Sequence, residues 1–381
     1  MIDRKEYLAR IHKLANRMRQ AGLDGILLTA ESNIDYFSGF RHHAPWTLFA
    51  RPFFQVISSD ARTALLTHTF LEPEMRRTSV VTDIRTFTTS GDAPVAQLRE
   101  IMNELGIAHG KLGMELGYEQ RLGISLTDYR RLENELKDIS IVDASMLLWS
   151  LRMIKSAAEI EMMRKSADVT AAAFAAGFAM AKPGMTEQEV CRICSETMVE
   201  RGAERPGFIL VTSGRENYHV LSGKPTSRKL EQGDMLWIDM GAIVDGYWSD
   251  FCRAAYFGKP TPETEDGQKL ILDVNRAMIE ATRPGEPVRK VAEAAERAFR
   301  KHDVDVSLGS GRIGHGMGLM STEPPHVALY EEMVCEPGLI FTIEPRITNE
   351  HGVFNCEELL LVTRSGVEVM TTSTRQITYI Q

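Results

Sequence analysis

Apolar and polar positions alternate in two different rhythms along this chain. From Lys5 to Ala21, Leu8, Ile11, Leu14 and Met18 fall on one side at helical spacing, and the pattern stops at Gly22 before the short apolar run Ile26-Leu27-Leu28. Further strands are predicted at Phe53 to Ile57, Thr63 to Thr67, Ile84 to Thr88, Leu112 to Glu115 and Ile139 to Val142. Helices are predicted around Val95 to Leu105 and Leu126 to Leu136. Such alternation implies a mixed αβ layer, and no glycine-rich phosphate loop follows any of its strands.

Near Ser150 a strand-like end gives way to Leu151-Arg152-Met153-Ile154-Lys155-Ser156 and a long helix beginning at Ala157. Beyond it, two long helices separated by Lys182-Pro183-Gly184 precede antiparallel strands. Two more helices follow, about Glu263 to Ala281 and Val288 to His302, and then strands again. The order suggests two αβ halves on one antiparallel sheet. The expected fold class is therefore α/β (α+β), with an amino-terminal mixed αβ domain over 1–150 and a second domain over 151–381.

A length of 381 residues suits two domains better than one core. Apolar residues make up 43% of the chain, enough for two cores, while a net charge of -8 argues against nucleic acid or an anionic membrane as partner. The first residues are charged and amphipathic, which points to a cytoplasmic protein. The longest apolar run, Val169 to Ala181, is too short to cross a bilayer and reads as a buried helix. Five scattered cysteines fit a reducing compartment. Cys191 and Cys194 form a CxxC inside a helical stretch with no second CxxC, so they are expected on a buried helix face.

Candidate chemistry enters with residues that break the strand pattern. Asp245-Gly246 lies between β-prone runs and signals a hairpin, since both central residues of a type I′ turn need positive φ. That turn would set Asp250 opposite Gly241. Asp239 and Asp250 would then share one face on a diagonal, within about 8 Å. Two solvent-facing acids would explain this hairpin alone equally well. A second hairpin carries Glu344 on Gly338–Glu344 and Glu357 at the start of Glu357–Val362. If Asn349-Glu350-His351-Gly352 is a four-residue loop, the two glutamates face each other directly, an unfavourable pairing unless a cation lies between them. A three-residue loop would reverse the register.

Between the hairpins, Gly309-Ser310-Gly311-Arg312-Ile313-Gly314-His315-Gly316-Met317-Gly318 places His315 among glycines that would let backbone approach an ion or substrate. Taken alone, His315 suits a core position as well. Together, four carboxylates balance two divalent cations, which would acidify a bridging water and polarise a carbonyl. Oxygen-rich ligation with one nitrogen favours manganese, and cobalt or catalytic zinc are compatible with it.

At this point the chain resembles the aminopeptidase P, prolidase and creatinase family. The residues that carry the resemblance are Ile238–Ala242, Gly246–Arg253, Gly314–Gly318, Thr342–Pro345 and Glu357–Thr363, joined by Leu151–Ser156 with Glu159 and by Asn33–Phe40. The resemblance implies a carboxy-terminal pita-bread (creatinase-like) domain and a homodimer. It also implies that Asp239, Asp250, His315, Glu344 and Glu357 bind two metal ions.

Departures qualify the substrate. A family histidine expected seven residues after His315 is replaced by Thr322, with His326 four residues further on. A second expected histidine falls near Leu221 or Ser222, while His219 comes earlier, and Arg346 stands where glycine is common. Thr322, His326 and His219 are thus the further catalytic candidates. The implied activity is dinuclear-metal hydrolysis of a C–N bond in a dipeptide, as in an Xaa-Pro dipeptidase. The alternatives are a hydrolase or lyase for a small nonpeptide solute and a silent binding protein. If His326 does not swing in to compensate, Thr322 should make Xaa-Pro hydrolysis slow. The loop Arg41–Trp46 reads either as ordinary surface or as a contact to a partner's site.

Overall fold

The structure, a computed structural model, describes residues 2–42, 52–89, 91–305 and 311–381. His43 to Trp46 of the amino-terminal loop and Gly309-Ser310 of the glycine-rich run lie outside these residues. The chain divides into two compact units, Ile2–Arg152 and Met153–Gln381.

In the first unit, α1 (Arg4–Ala21) starts at Asp3, whose side chain accepts from Lys5 N, and ends at Gly22 in the left-handed region. The strands β1 (Gly25–Leu28), β2 (Phe54–Ser58), β3 (Thr63–His68), β4 (Ile84–Phe87), β5 (Gly110–Met114) and β6 (Ile139–Asp143) form one mixed sheet in the order β4-β3-β2-β1-β5-β6. Strands β1, β2 and β3 pair antiparallel, while β3–β4, β1–β5 and β5–β6 are parallel. The helices α2 (Glu31–Ser38), α3 (Glu72–Thr78), α4 (Val95–Glu104), α5 (Leu126–Glu135) and α6 (Ser145–Arg152) connect them. The strand-like end expected near Ser150 is instead the helix α6. Leu148, Trp149 and Arg152 recur at helical spacing and are buried, so packing of that face overrides the local strand signal.

A buried acid organises the junction of β5 with α2. Glu115 accepts hydrogen bonds from Thr29 N at 2.8 Å, Thr29 Oγ1 at 2.7 Å, Ala30 N at 3.1 Å and Asn33 Nδ2 at 2.8 Å. Its carboxylate thus ties the backbone leading into α2 to the side chain of Asn33 in the helix's first turn.

The second unit opens with α7 (Ala157–Met180) and α8 (Glu187–Glu200), each begun by a capping box, Ser156 with Glu159 and Thr186 with Glu189. The strands β7 (Arg205–Ser213), β8 (Met235–Val244), β9 (Tyr247–Trp248) and β10 (Phe251–Phe257) follow. Next come α9 (Pro262–Ala281) and α10 (Arg289–Lys301). The remaining strands are β11 (His315–Gly316), β12 (Glu323–His326), β13 (Ile340–Ile343), β14 (Arg346–Asn349), β15 (Gly352–Asn355), β16 (Glu358–Val362), β17 (Val367–Val369) and β18 (Thr378–Ile380). The single antiparallel sheet expected here is divided by its hydrogen bonding. One sheet runs β18-β10-β8-β7 with β9 on β8, another β12-β11-β13-β16-β17, and β14 pairs only with β15. The division falls at Glu344-Pro345 and Cys356-Glu357, which leave the ladder.

The core of this unit brings Met235, Trp237, Cys252 and Ala254 against Leu270, Val274, Val291 and Phe299 of the second helix pair and against Phe341 and Phe354. Because side chains alternate along a strand, Asp239 and Asp250 lie on this same face, while Phe251 turns the other way to meet Phe174 of α7. All five cysteines are free and buried, and burial pushes the Cys191 and Cys194 thiols up, which suits a packed helix face. Among the described residues no helix is long and apolar enough to cross a membrane.

Candidate metal centre

Two hairpins and one short strand position the acids. In the first hairpin Asp245 and Gly246 take φ of 48° and 79°, as a type I′ turn needs. Ile243 pairs with Trp248, Val244 with Tyr247, Met240 with Phe251 and Asp239 with Cys252. This register continues to Gly241 opposite Asp250, so the two aspartates occupy the diagonal expected from the turn. A Cβ on Gly241 would meet the Ser249 carbonyl oxygen at 1.8 Å, so the missing side chain makes room for backbone.

In the second hairpin the turn is shorter than expected but of the same parity. Asn349 pairs with Gly352, leaving Glu350-His351 as the turn. Arg346↔Asn355 on one side and Ile343↔Glu358 on the other bracket Glu344 and Glu357, which face each other where the ladder is interrupted. Like charges opposed in a continuous ladder repel, and the interruption gives the two carboxylates freedom to turn toward a shared centre.

His315 comes from β11, held between β12 and β13. A Cβ on Gly316 would meet the Pro324 carbonyl oxygen at 2.2 Å, so here too the glycine admits a neighbouring strand. His315 Nδ1 lies 3.0 Å from the Gly316 carbonyl and donates to it, which leaves Nε2 with its lone pair directed at the acids, 3.6 Å from Asp250 Oδ2.

Asp250, His315 and Glu357 are buried and offer ligand atoms all within 4.8 Å of one another. Asp239 lies close enough to Asp250 to share a hydrogen bond, and its Oδ1 is buried without a partner. Glu344 joins the group through its charge, which acts on Asp239, Asp250 and Glu357. Burial, reinforced by the neighbouring acids, raises Asp239 to about 7 and holds Asp250 and Glu357 well above the usual carboxylate range. Burial also raises Glu344, against the opposing charges of Arg346 and Arg312. His315 is lowered to about 4, first by burial and then by Arg312. A desolvated, mutually repelling acid set with an orphaned oxygen and an outward lone pair fits cations well. Divalent ions would relieve the repulsion that otherwise keeps these groups protonated.

The remaining candidates are dispersed. His326 pairs with His315 across β11 and β12, with Nε2 3.2 Å from Arg312 Nη1 and Nδ1 2.9 Å from the Tyr330 hydroxyl. Thr322 is half-buried immediately before β12. His219 is exposed in the turn after β7 and, among the described residues, enters none of the contacts around the acids. Arg346 is exposed on β14, and its charge opposes the upward shifts of Asp239 and Glu344. Two neighbours of the site were not singled out from the sequence, Arg312 as a cation and Tyr330. Arg312 carried a usable signal, a charged residue three positions before His315 in an otherwise small-residue run.

Residues 161–364 match metallopeptidase family M24, and residues 10–154 match the creatinase/prolidase N-terminal domain. The chain is 25% identical over 370 residues to a protein of Pyrococcus furiosus named Xaa-Pro dipeptidase, covering 97% of this chain and 99% of that one. Among solved structures it resembles an Xaa-Pro dipeptidase from Bacillus anthracis, with a TM-score of 0.84, 26% identity and coverage of 98% and 100%. It also resembles a dipeptidase, PepE, from Mycobacterium ulcerans, with a TM-score of 0.86, 25% identity and coverage of 100% and 99%.

Proposed function

Since the chain belongs to metallopeptidase family M24, with a pita-bread domain behind a creatinase-type amino-terminal domain, and is a metal-dependent peptidase, we propose that it is a two-metal dipeptidase acting on Xaa-Pro substrates. The observation that carries this reading is the convergence of Asp250, His315 and Glu357 on one buried point, with Asp239 beside them. In this proposal Asp239, Asp250, His315, Glu344 and Glu357 hold the ions, with manganese favoured by the oxygen-rich donors. Bound divalent ions would polarise the scissile carbonyl and make water a competent nucleophile near neutral pH.

The protein's own contribution is orientation and exclusion. The Gly316 carbonyl fixes the His315 tautomer, and Trp237 packs in the core on the same strand face as Asp239. Thr322 offers a neutral hydroxyl where an imidazolium is expected, which restricts it to one uncharged hydrogen bond with substrate. Xaa-Pro dipeptidases of Pyrococcus furiosus and Bacillus anthracis align over nearly the whole chain, which supports a dipeptide as substrate. A homodimer is part of the proposal, and five free, buried cysteines agree with a cytoplasmic setting.

The test is a substrate screen of protein stripped with chelator and reloaded with manganese, cobalt or zinc. Ala-Pro and Gly-Pro should be cleaved only by the loaded forms, best with manganese, and light scattering should give the mass of a dimer. Metal-dependent cleavage confined to non-prolyl dipeptides would overturn the substrate, and metal-independent cleavage would overturn the site.

A further inference from the structure

We propose that Arg312, positioned by His326 and Tyr330, is the residue that selects substrates carrying a free carboxylate beside the scissile bond. The inference rests on the peptidase reading above and adds to it the group that recognises substrate charge.

A guanidinium can only donate, so the 3.2 Å contact from Arg312 Nη1 makes His326 Nε2 an acceptor. The proton of the neutral ring is then on Nδ1, which donates to the Tyr330 oxygen at 2.9 Å. Tyr330 keeps its own hydroxyl hydrogen for another partner. In this row the imidazole is neutral and the permanent cation is Arg312. The position and the charge are thus divided between two residues, where one imidazolium at 322 would have combined them.

The row is anchored at one end and open at the other. His326 is 8% exposed and paired across the ladder with His315, while Arg312 is exposed and Tyr330 is 52% exposed. Glu331, in the loop after β12, accepts from the backbone N–H groups of His326 at 3.1 Å and Met333 at 3.0 Å. Arg312 forms no ion pair with a carboxylate among the described residues, yet its charge acts on Asp250, Glu344 and His315. Once cations balance the acids, this guanidinium has no internal counter-charge. A substrate carboxylate supplies one, and the planar fork suits it in a way a point charge does not.

The metal-loaded full chain is to be assayed on Ala-Pro and on its C-terminal amide. Native protein should prefer the free acid. Arg312→Met should lower kcat/KM on the acid by about 10² more than on the amide, since one partner of a close charge pair is removed. Arg312→Lys should fall between the two. His326→Gln should act in the same direction mainly through KM, as expected for a positioning residue. Calorimetry with L-proline and L-prolinamide gives a second readout, with affinity for proline alone weakened in Arg312→Met. Equal losses on acid and amide, or no loss on either, would overturn the inference. If native protein cleaves neither substrate, the peptidase reading fails, while the calorimetric contrast still decides the role of Arg312.

Discussion

Glu115 in the first unit and Glu357 in the second are both buried carboxylates that burial shifts upward, yet their surroundings differ in kind. Glu115 receives hydrogen bonds from Thr29, Ala30 and Asn33, each of which opposes the shift. Around Glu357 the next causes are the charges of Asp250, Asp239 and Glu344, which add to it, while Arg253 opposes it. Among the described residues no N–H or O–H donates to the Glu357 side chain. A buried charge needs compensation, and here one acid has it built into the chain while the other requires something from outside. The contrast separates an acid whose partners hold structure together from an acid that, in the proposed function, holds a cation.

The largest expected effect breaks the comparison at its functional end. Glu357→Ala or Asp250→Ala should reduce kcat by several orders of magnitude in steady-state assays, because either change removes part of the proposed ligand set. Glu115→Ala should leave kcat and metal content unaltered.

A second expectation concerns protein stripped of metal. Asp239, raised to about 7, keeps its proton when folded at pH values where the unfolded chain has released it. Folding stability contributed by this group is therefore full at low pH and is lost as pH rises from about 4 towards 7. Asp250, Glu344 and Glu357 are shifted in the same direction and act alike. His315, lowered to about 4, works the other way between its folded value and its ordinary one, but it is one group against four. The Tm of the stripped protein should fall across this window relative to the loaded protein, and Asp239→Asn should flatten the fall. Parallel pH profiles for stripped and loaded protein would contradict the charge account.

The smallest expected effect is on Glu115. Glu115→Ala leaves the donors of Thr29, Ala30 and Asn33 without their partner and should cost about 1–3 kcal/mol in denaturant unfolding. A neutral result would mean that water satisfies those donors equally well.

The second unit's half of this contrast was largely legible in the sequence, Glu115 was not, and what was hidden has physical causes. The Asp245-Gly246 turn determines the register that sets Asp239 and Asp250 on one diagonal, because side chains repeat every two residues. The second hairpin was legible for the same reason of parity, although its turn is two residues long. The ladder break at Glu344 and Glu357 had a signal that went unused, Pro345, which has no N–H to give to a ladder. The glycines around His315 suggest backbone approaching an ion or substrate, whereas Gly316 admits the carbonyl of Pro324 on the neighbouring strand, a contact without local signature. The helix at Ser145–Arg152 was hidden because its buried face is decided by tertiary packing. The Arg312, His326 and Tyr330 row needed the folded strand pair, since residue spacing alone does not bring a guanidinium to an imidazole.

The central claim is that the buried acids of the second unit are compensated by bound divalent ions. Elemental analysis of active, extensively dialysed protein, paired with activity on the same sample, tests it most directly. Two divalent ions per chain, lost together with activity on chelation and regained together on reloading, is the expected result; full activity with fewer than one ion per chain would contradict it.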